Sequence, residues 1–335
     1  MPERVARFIS ISGRVQGVGF RPFVYRLAHQ YEITGWVRNV NGAVEIHAEG
    51  ELSQLQRFSD ALVSEAPPLS APGPLAVSAR APEQAKTFSI LDSTASSHAS
   101  LNDASSKMAD AWSIHLPPDG FVCADCLAEL HDPKNRRHRY PFINCTQCGP
   151  RYTLITALPY DRPNTAMRDF ALCPDCRREY EDPLDRRFHA EPIACPVCGP
   201  HLQFVSGEER HEGDEAALAA AVTALRTGKV VAVKGVGGYH LLCDATHDES
   251  VATLRARKPR PTKPLAVMFR DLEALRGAVH LSPGLDSFIT SPERPIVLLP
   301  KCADSSLSGH IAPGLAEIGC LLPYSPLHDL LLKDF

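Results

Sequence analysis

The sequence has almost no net charge, with 35 Lys and Arg against 39 Asp and Glu. That balance excludes a chain that holds nucleic acid through bulk charge, and it confines any anion site to a local cluster. Apolar runs are short: no stretch approaches the roughly 18 apolar residues of a membrane-spanning helix, so none is expected. The opening MPERVARFISISGRV lacks a basic segment followed by an apolar one, so no secretory leader is expected and the compartment read is the cytoplasm. In that reducing compartment eleven cysteines are poor candidates for disulfides, and the eight that stand in CxxC pairs point to metal. A chain of 335 residues exceeds one ordinary core and implies two or three domains.

Residues 1–91 read as a βαββαβ unit of the ferredoxin-like sandwich. Strand VARFISI leads to a helix with Phe23, Val24, Leu27, Ala28 and Tyr31 on one face, then to strands around Trp36–Val40 and Ala43–Ala48. Asn41-Gly42 is a hairpin signal between those strands. A second helix carries Leu52, Leu55, Phe58 and Leu62, and KTFSIL is read as the last strand. Residues 92–112 are dominated by Ser and Ala with hardly any large apolar group, and are expected to be a linker. In 113–200 a module occurs twice: Cys123, Cys126, Cys145 and Cys148 recur as Cys173, Cys176, Cys195 and Cys198, with Asp132-Pro133, Arg136-Arg137, Ile143 and Gly149-Pro150 repeated as well. From 201 to 335 helices alternate with apolar strands, as in an α/β domain: a helix that Asp214 can cap and that ends at Gly228, then KVVAVKG, ESVATLRAR, PLAVMF, LEALRGAV and PIVLLP. The last residues, LHDLLLKDF, read as helix, which leaves this domain looking unfinished.

Between the first strand and first helix lies Val15, Gln16, Gly17, Val18, Gly19, Phe20, Arg21. A glycine-containing loop there can turn backbone N–H groups toward an anion, and the helix N-terminus adds partial positive charge. Arg21 adds a planar donor fork suited to phosphate oxygens. Such a loop alone is weak evidence, and a plain strand-to-helix turn competes with it. However, GRVQGVGFR followed by GWVRNVNGAVEIHAEG resembles the acylphosphatase family across essentially all of residues 1–91. The resemblance implies that Arg21 binds the phosphoryl group and that Asn39 orients the attacking water. An acyl phosphate already carries a good leaving group, so positioning and charge stabilisation suffice.

Each copy of the repeat reads C-x2-C-x18-C-x2-C, which offers four thiolates to one tetrahedral ion. Two structural Zn2+ sites are expected, since four protein ligands leave no open position. Pairing within each copy is the first expectation, with an interleaved pairing left open. Arg136, Arg137, His138, Arg139, Arg186, Arg187 and His189 give the modules a basic aspect. Interspersed Asp132, Asp182 and Asp185, and the lack of an aromatic platform, argue against nucleic acid.

YPFINCTQCGPRYT, LPYDRPNTAM and DRRFHAEPIACPVCGP resemble the zinc-finger segments of the HypF family of hydrogenase-maturation carbamoyltransferases. VKGVGGYHLLCDA, LRARKPRPTKPLAVMF and IAPGLAEIGCLLPYSPLHDLLL resemble that family's YrdC-like domain. The resemblance implies carbamoyl phosphate hydrolysis, ATP with Mg2+ for a carbamoyl adenylate, and delivery to the C-terminal cysteine of a HypE-type partner. Lys234, Lys258, Arg260 and Lys263 would be the cationic nucleotide contacts, although GVGG lacks the GK[ST] ending of a Walker loop. His240 and His328 fall in the same matched segments, as pocket or packing residues. Two other readings stay open: a threonylcarbamoyl-adenylate synthase, and a zinc ribbon that binds nucleic acid without chemistry.

Overall fold

The computed structural model describes residues 4–40, 43–93, 118–158 and 160–335. They pack as two compact units, Met1–Asp119 with Asn144–Ile193, and Gly120–Ile143 with Ala194–Phe335. The cysteine-rich region is thus shared out between the units. Among the described residues no helix is long and apolar enough to cross a membrane.

In the first unit, β1 (Arg4–Arg14), α1 (Phe20–Gln30), β2 (Thr34–Val40), β3 (Ala43–Glu51), α2 (Leu52–Ser64), β4 (Ala71–Arg80) and β5 (Phe88–Ile90) form a sheet ordered β4-β1-β3-β2-β5. Ile9, Ile11, Val37, Val44 and Ile46 of the sheet bury against Val24, Leu27, Leu55, Phe58 and Leu62 of the helices. Strand alternation then puts Asn39 on the same buried face as Val37, two residues along β2. The helical faces are as read, except that Leu52 is exposed at the start of α2 and Tyr31 is half-buried. KTFSIL does form a strand, but it is not the one that closes the βαββαβ order. That strand is β4, antiparallel to β1, whereas β5 adds a fifth, parallel to β2. Pro72, Pro74 and a mostly exposed face hide β4 from a hydrophobic reading, and an edge strand tolerates the missing donors. Asn41-Gly42 and most of the 92–112 linker lie outside the described residues.

On β3, His47 Nε2 lies 2.9 Å from Glu49 Oε1, and both side chains are buried. The same oxygen accepts from the backbone N–H of Glu83 and of Ala85, which ties the β4–β5 connection down. Burial by itself would raise the Glu49 carboxyl; the His47 bond and the two backbone donors outweigh it and hold it below the usual range. A depressed carboxyl stabilises the fold above its unfolded pKa, about 4.3 for Glu, and that contribution is lost as pH falls through the folded value. Glu49→Gln should therefore melt well below the parent at pH 7, with the gap closing towards pH 3. An equal gap at both pH values in thermal melts would sink this account.

The second unit contains α3 (Ala124–His131), whereas α4 (Pro174–Glu181), its counterpart in the repeat, belongs to the first. After the repeat come β6 (Gln203–Ser206) and β7 (Glu209–Glu212), α5 (Asp214–Arg226), β8 (Val231–Lys234), β9 (Tyr239–Leu242), α6 (Asp248–Arg257), β10 (Ala266–Met268), α7 (Leu272–Arg276), α8 (Leu285–Ile289), β11 (Val297–Pro300), β12 (Glu317–Leu321) and α9 (Pro326–Asp334). β12 pairs parallel with β10 and antiparallel with β11. Gly213, not Asp214, is the cap of α5; the Asp214 carboxylate instead accepts from the Leu202 N–H at 2.7 Å. α9 is tied by Arg139 to Asp334, by His131 to Asp329, and by Arg226 to the carbonyls of Asp334 and Phe335.

Candidate active site and metal centres

The segment between β1 and α1 is shaped by its alternation of apolar residues and glycine. Val15, Val18 and Phe20 bury into the core and anchor the loop, and the Gln16 amide donates to the Ala43 carbonyl at 3.0 Å. Gly17 (φ 67°) and Gly19 (φ 74°) take left-handed conformations that side chains resist. A Cβ on Gly19 would also come within 2.9 Å of the Gln147 amide. Gly19 caps α1, whose first N–H groups have no intrahelical partner. The loop lines a small open cavity together with Arg21, Asn39, Thr146, Arg151, Tyr160, His189 and Glu191.

Arg21, only 7 % exposed, sits in the first turn of α1 and points into this cavity's wall. Its fork is engaged: one terminal nitrogen donates to Asp161 Oδ1 at 2.9 Å and Glu191 Oε1 at 3.1 Å, the other to Ser93 Oγ at 3.2 Å. Burial works against its charge, but Glu191 and Asp161 prevail and hold the guanidinium protonated. An incoming phosphate therefore has to compete with two carboxylates for it. Glu191, 1 % exposed, also accepts from the Arg162 N–H and the Tyr180 hydroxyl, each at 2.8 Å. Burial raises its carboxyl above the usual range, opposed by Arg21.

A second cation compensates. Arg151 is 4 % exposed and spends its donors on backbone carbonyls: Gly17 at 2.6 Å, Cys145 at 2.8 Å, Cys148 at 2.9 Å and Pro150 at 3.0 Å. Among the described residues its guanidinium bonds carbonyl oxygens and no carboxylate, so its charge raises the potential around the cradle for an anion. Asn39 is 2 % exposed and its Oδ1 has no partner among the described residues; neither has the hydroxyl of Tyr160, which is 3 % exposed. Burial pushes the Tyr160 phenol up and keeps it protonated, and it pushes His189 down to about 4, with Arg21 adding to the effect, so His189 is neutral at pH 7.

The cysteines gather within each copy of the repeat. The sulfurs of Cys123, Cys126, Cys145 and Cys148 lie within 4.8 Å of one another, and so do those of Cys173, Cys176, Cys195 and Cys198. Each copy uses the same local device: the first knuckle's leading cysteine, Cys123 or Cys173, caps a short helix, α3 or α4. In the second knuckles Cys145–Cys148 and Cys195–Cys198 have Sγ–Sγ distances of 3.7 Å. A tetrahedral zinc with Zn–S near 2.3 Å demands an edge of about 3.8 Å, so the donor sets fit structural zinc. Backbone N–H groups of Gln147 and Val197 donate to Cys145 and Cys195, as befits thiolates.

Three family models match the chain in order. Acylphosphatase covers residues 7–90, the HypF finger covers 122–155 and again 172–205, and the Sua5–YciO–YrdC family, described as telomere recombination, covers 223–335. The carbamoyltransferase HypF2 of Cupriavidus necator is 48% identical over 336 residues, taking in 99% of this chain. Over nearly its whole length the chain is similar to HypF carbamoyltransferases. It spans 40% of the length of that relative. Among solved structures, a HypF described as full-length and in the phosphate- and nucleotide-bound form superposes with a TM-score of 0.89 at 42% identity, covering 100% of this chain and 42% of that one. HypF of T. kodakarensis does so with 0.87 at 41% identity, covering 98% of this chain and 40% of that one.

The residues read from sequence divide unevenly. Arg21, Asn39 and most of the 15–21 loop share one cavity, whose other lining residues, Arg151, Tyr160, His189 and Glu191, were not read as functional. Of the nucleotide candidates, Lys258, Arg260 and Lys263 stand on one loop after α6, with Arg260 donating to the carbonyls of Lys263 and Pro264. Lys234 stands apart in the chain, exposed at the end of β8. His240 and His328 do meet: His240 Nε2 is 2.8 Å from the Tyr324 hydroxyl, whose ring packs on His328 beside Gly235.

Proposed function

We propose that this chain hydrolyses carbamoyl phosphate, with the phosphoryl group held by the 15–20 backbone and Arg21 and the water placed by Asn39. The carrying observation is the cavity itself. It gathers an anion cradle, a buried guanidinium and a buried amide oxygen with no partner among the described residues, within the stretch that matches acylphosphatase. The water oxygen bonds to phosphorus as the bridging P–O bond breaks; carbamate leaves with the electron pair, and both water hydrogens remain on phosphate. No nucleophilic side chain or metal is needed, because carbamate is a good leaving group and the site supplies position and charge. In the longer family proteins the carbamate would then be joined to AMP from ATP with Mg2+ at the YrdC-like stretch, where Lys234, Lys258, Arg260 and Lys263 are the cationic candidates. The carbamoyl group would pass on to the C-terminal cysteine of a HypE-type partner in the cytoplasm.

Phosphate release from carbamoyl phosphate by the 335-residue chain is the direct test. Asn39→Ala should lower kcat by roughly a hundredfold with KM changed far less, as expected for a group that acts on the attacking water. If kcat survives in that variant, water placement belongs to another residue.

A further inference from the structure

The cavity's second wall comes from the 146–191 segment, and beyond Arg151, whose charge favours the anion, holding a phosphate makes no use of it. Two polar groups stand in that wall with bonding capacity to spare. The Tyr160 hydroxyl is buried and has no partner among the described residues. Glu191 offers about four acceptor positions on its two oxygens. Three are filled: Oε2 accepts from the Arg162 N–H and the Tyr180 hydroxyl, Oε1 from Arg21. The position left is on Oε1, the oxygen next to the phosphate-binding guanidinium. One wall thus offers donors to a phosphoryl group, and the other offers one donor and one acceptor on buried side chains.

We infer that Tyr160 and Glu191 form a carbamoyl-reading subsite, in which the Tyr160 hydroxyl donates to the substrate's carbonyl oxygen and Glu191 accepts from its NH2. The inference rests on the proposed phosphate cradle and extends it from the anion to the acyl group. The two residues have separable jobs. A carbonyl oxygen is common to all acyl phosphates, so Tyr160 serves them alike and steadies the charge that develops on the leaving carboxylate. An N–H donor distinguishes carbamoyl from acetyl, so Glu191 sets the preference between them. A site built around a substrate hydrogen bond discriminates far more strongly than one that senses a methyl group by size. Tyr180 and the Arg162 N–H hold the Glu191 carboxylate in place, which keeps the acceptor aimed without the substrate's help.

Hydrolysis-proof probes separate this idea from the one beneath it. Phosphonoacetamide and acetonylphosphonate carry the same phosphonate and carbonyl and differ only in NH2 against CH3. Calorimetric titration of the whole chain should show phosphonoacetamide binding at least about tenfold tighter, the worth of one well-made hydrogen bond to a charged group. In Glu191→Gln that ratio should shrink to within about threefold, whereas Tyr160→Phe should weaken both ligands together and leave the ratio standing. Equal binding of the two probes by the unaltered chain overturns the subsite and leaves the cradle intact. Failure of both probes and of inorganic phosphate to bind overturns the cradle instead. Because each comparison is a ratio on the folded fraction, a variant of reduced stability still reports.

Discussion

Replacing Arg21 with alanine should lower the proposed carbamoyl phosphate hydrolysis by about a thousandfold, the upper end of what loss of one transition-state donor costs. The same change does a second kind of damage. Glu191 and Asp161 lose the cation they share, and Glu191 is left deep in the protein as an uncompensated carboxylate. Breaking a buried pair from one side destabilises by roughly 3–5 kcal/mol. The two effects come apart in the double variant Arg21→Ala/Glu191→Gln, which removes the stranded charge. Its melting temperature should recover most of the loss, and its turnover should not rise above the Arg21→Ala level. Turnover that recovers along with stability would mean that Arg21 is a structural residue and that the phosphoryl group is held elsewhere.

The cradle half of this site was legible because its chemistry is local. Glycines, a buried alternation and an arginine lie consecutively between one strand and one helix, and strand periodicity brings Asn39 to the same face. The opposite half is built from residues far along the chain, which no local pattern marks. A signal was nonetheless present, in the places where the repeat departs from itself. His189 and Glu191 stand where the first copy has Arg139 and Pro141, and Arg151 stands where the second has His201. Arg139 and His189 share the same left-handed backbone, φ 55° and 52°, so one turn serves two ends: Arg139 pairs with Asp334 and Glu215, His189 lines the cavity. What the copies keep in common builds the knuckles, and what they do not share is free for function. The fold was legible wherever an apolar period was strong, as in α1, α2 and α5. It was missed at β4, where edge position and two prolines erase the pattern, and at β9 and the β6–β7 hairpin, whose residues are half-exposed or exposed.

Stripping zinc should empty the anion cradle as well as loosen the fold. The link is Arg151, whose guanidinium holds the carbonyls of Cys145 and Cys148 on one side and the carbonyl of Gly17 on the other. A knuckle wrapped round a metal keeps those two carbonyls converging on one donor fork; a knuckle without it has no reason to. Cys145→Ser should halve the bound zinc, from two ions per chain to one, lower the melting temperature substantially, and weaken phosphate binding by about tenfold or more. Arg151→Ala should reproduce the loss of phosphate binding with both ions still in place, since it cuts the link and spares the sulfurs. The pair of variants makes the coupling specific. If Cys145→Ser melts early yet binds phosphate as tightly as the parent below its transition, the zinc module is a staple only, and the cradle owes its shape to β1 and α1 alone.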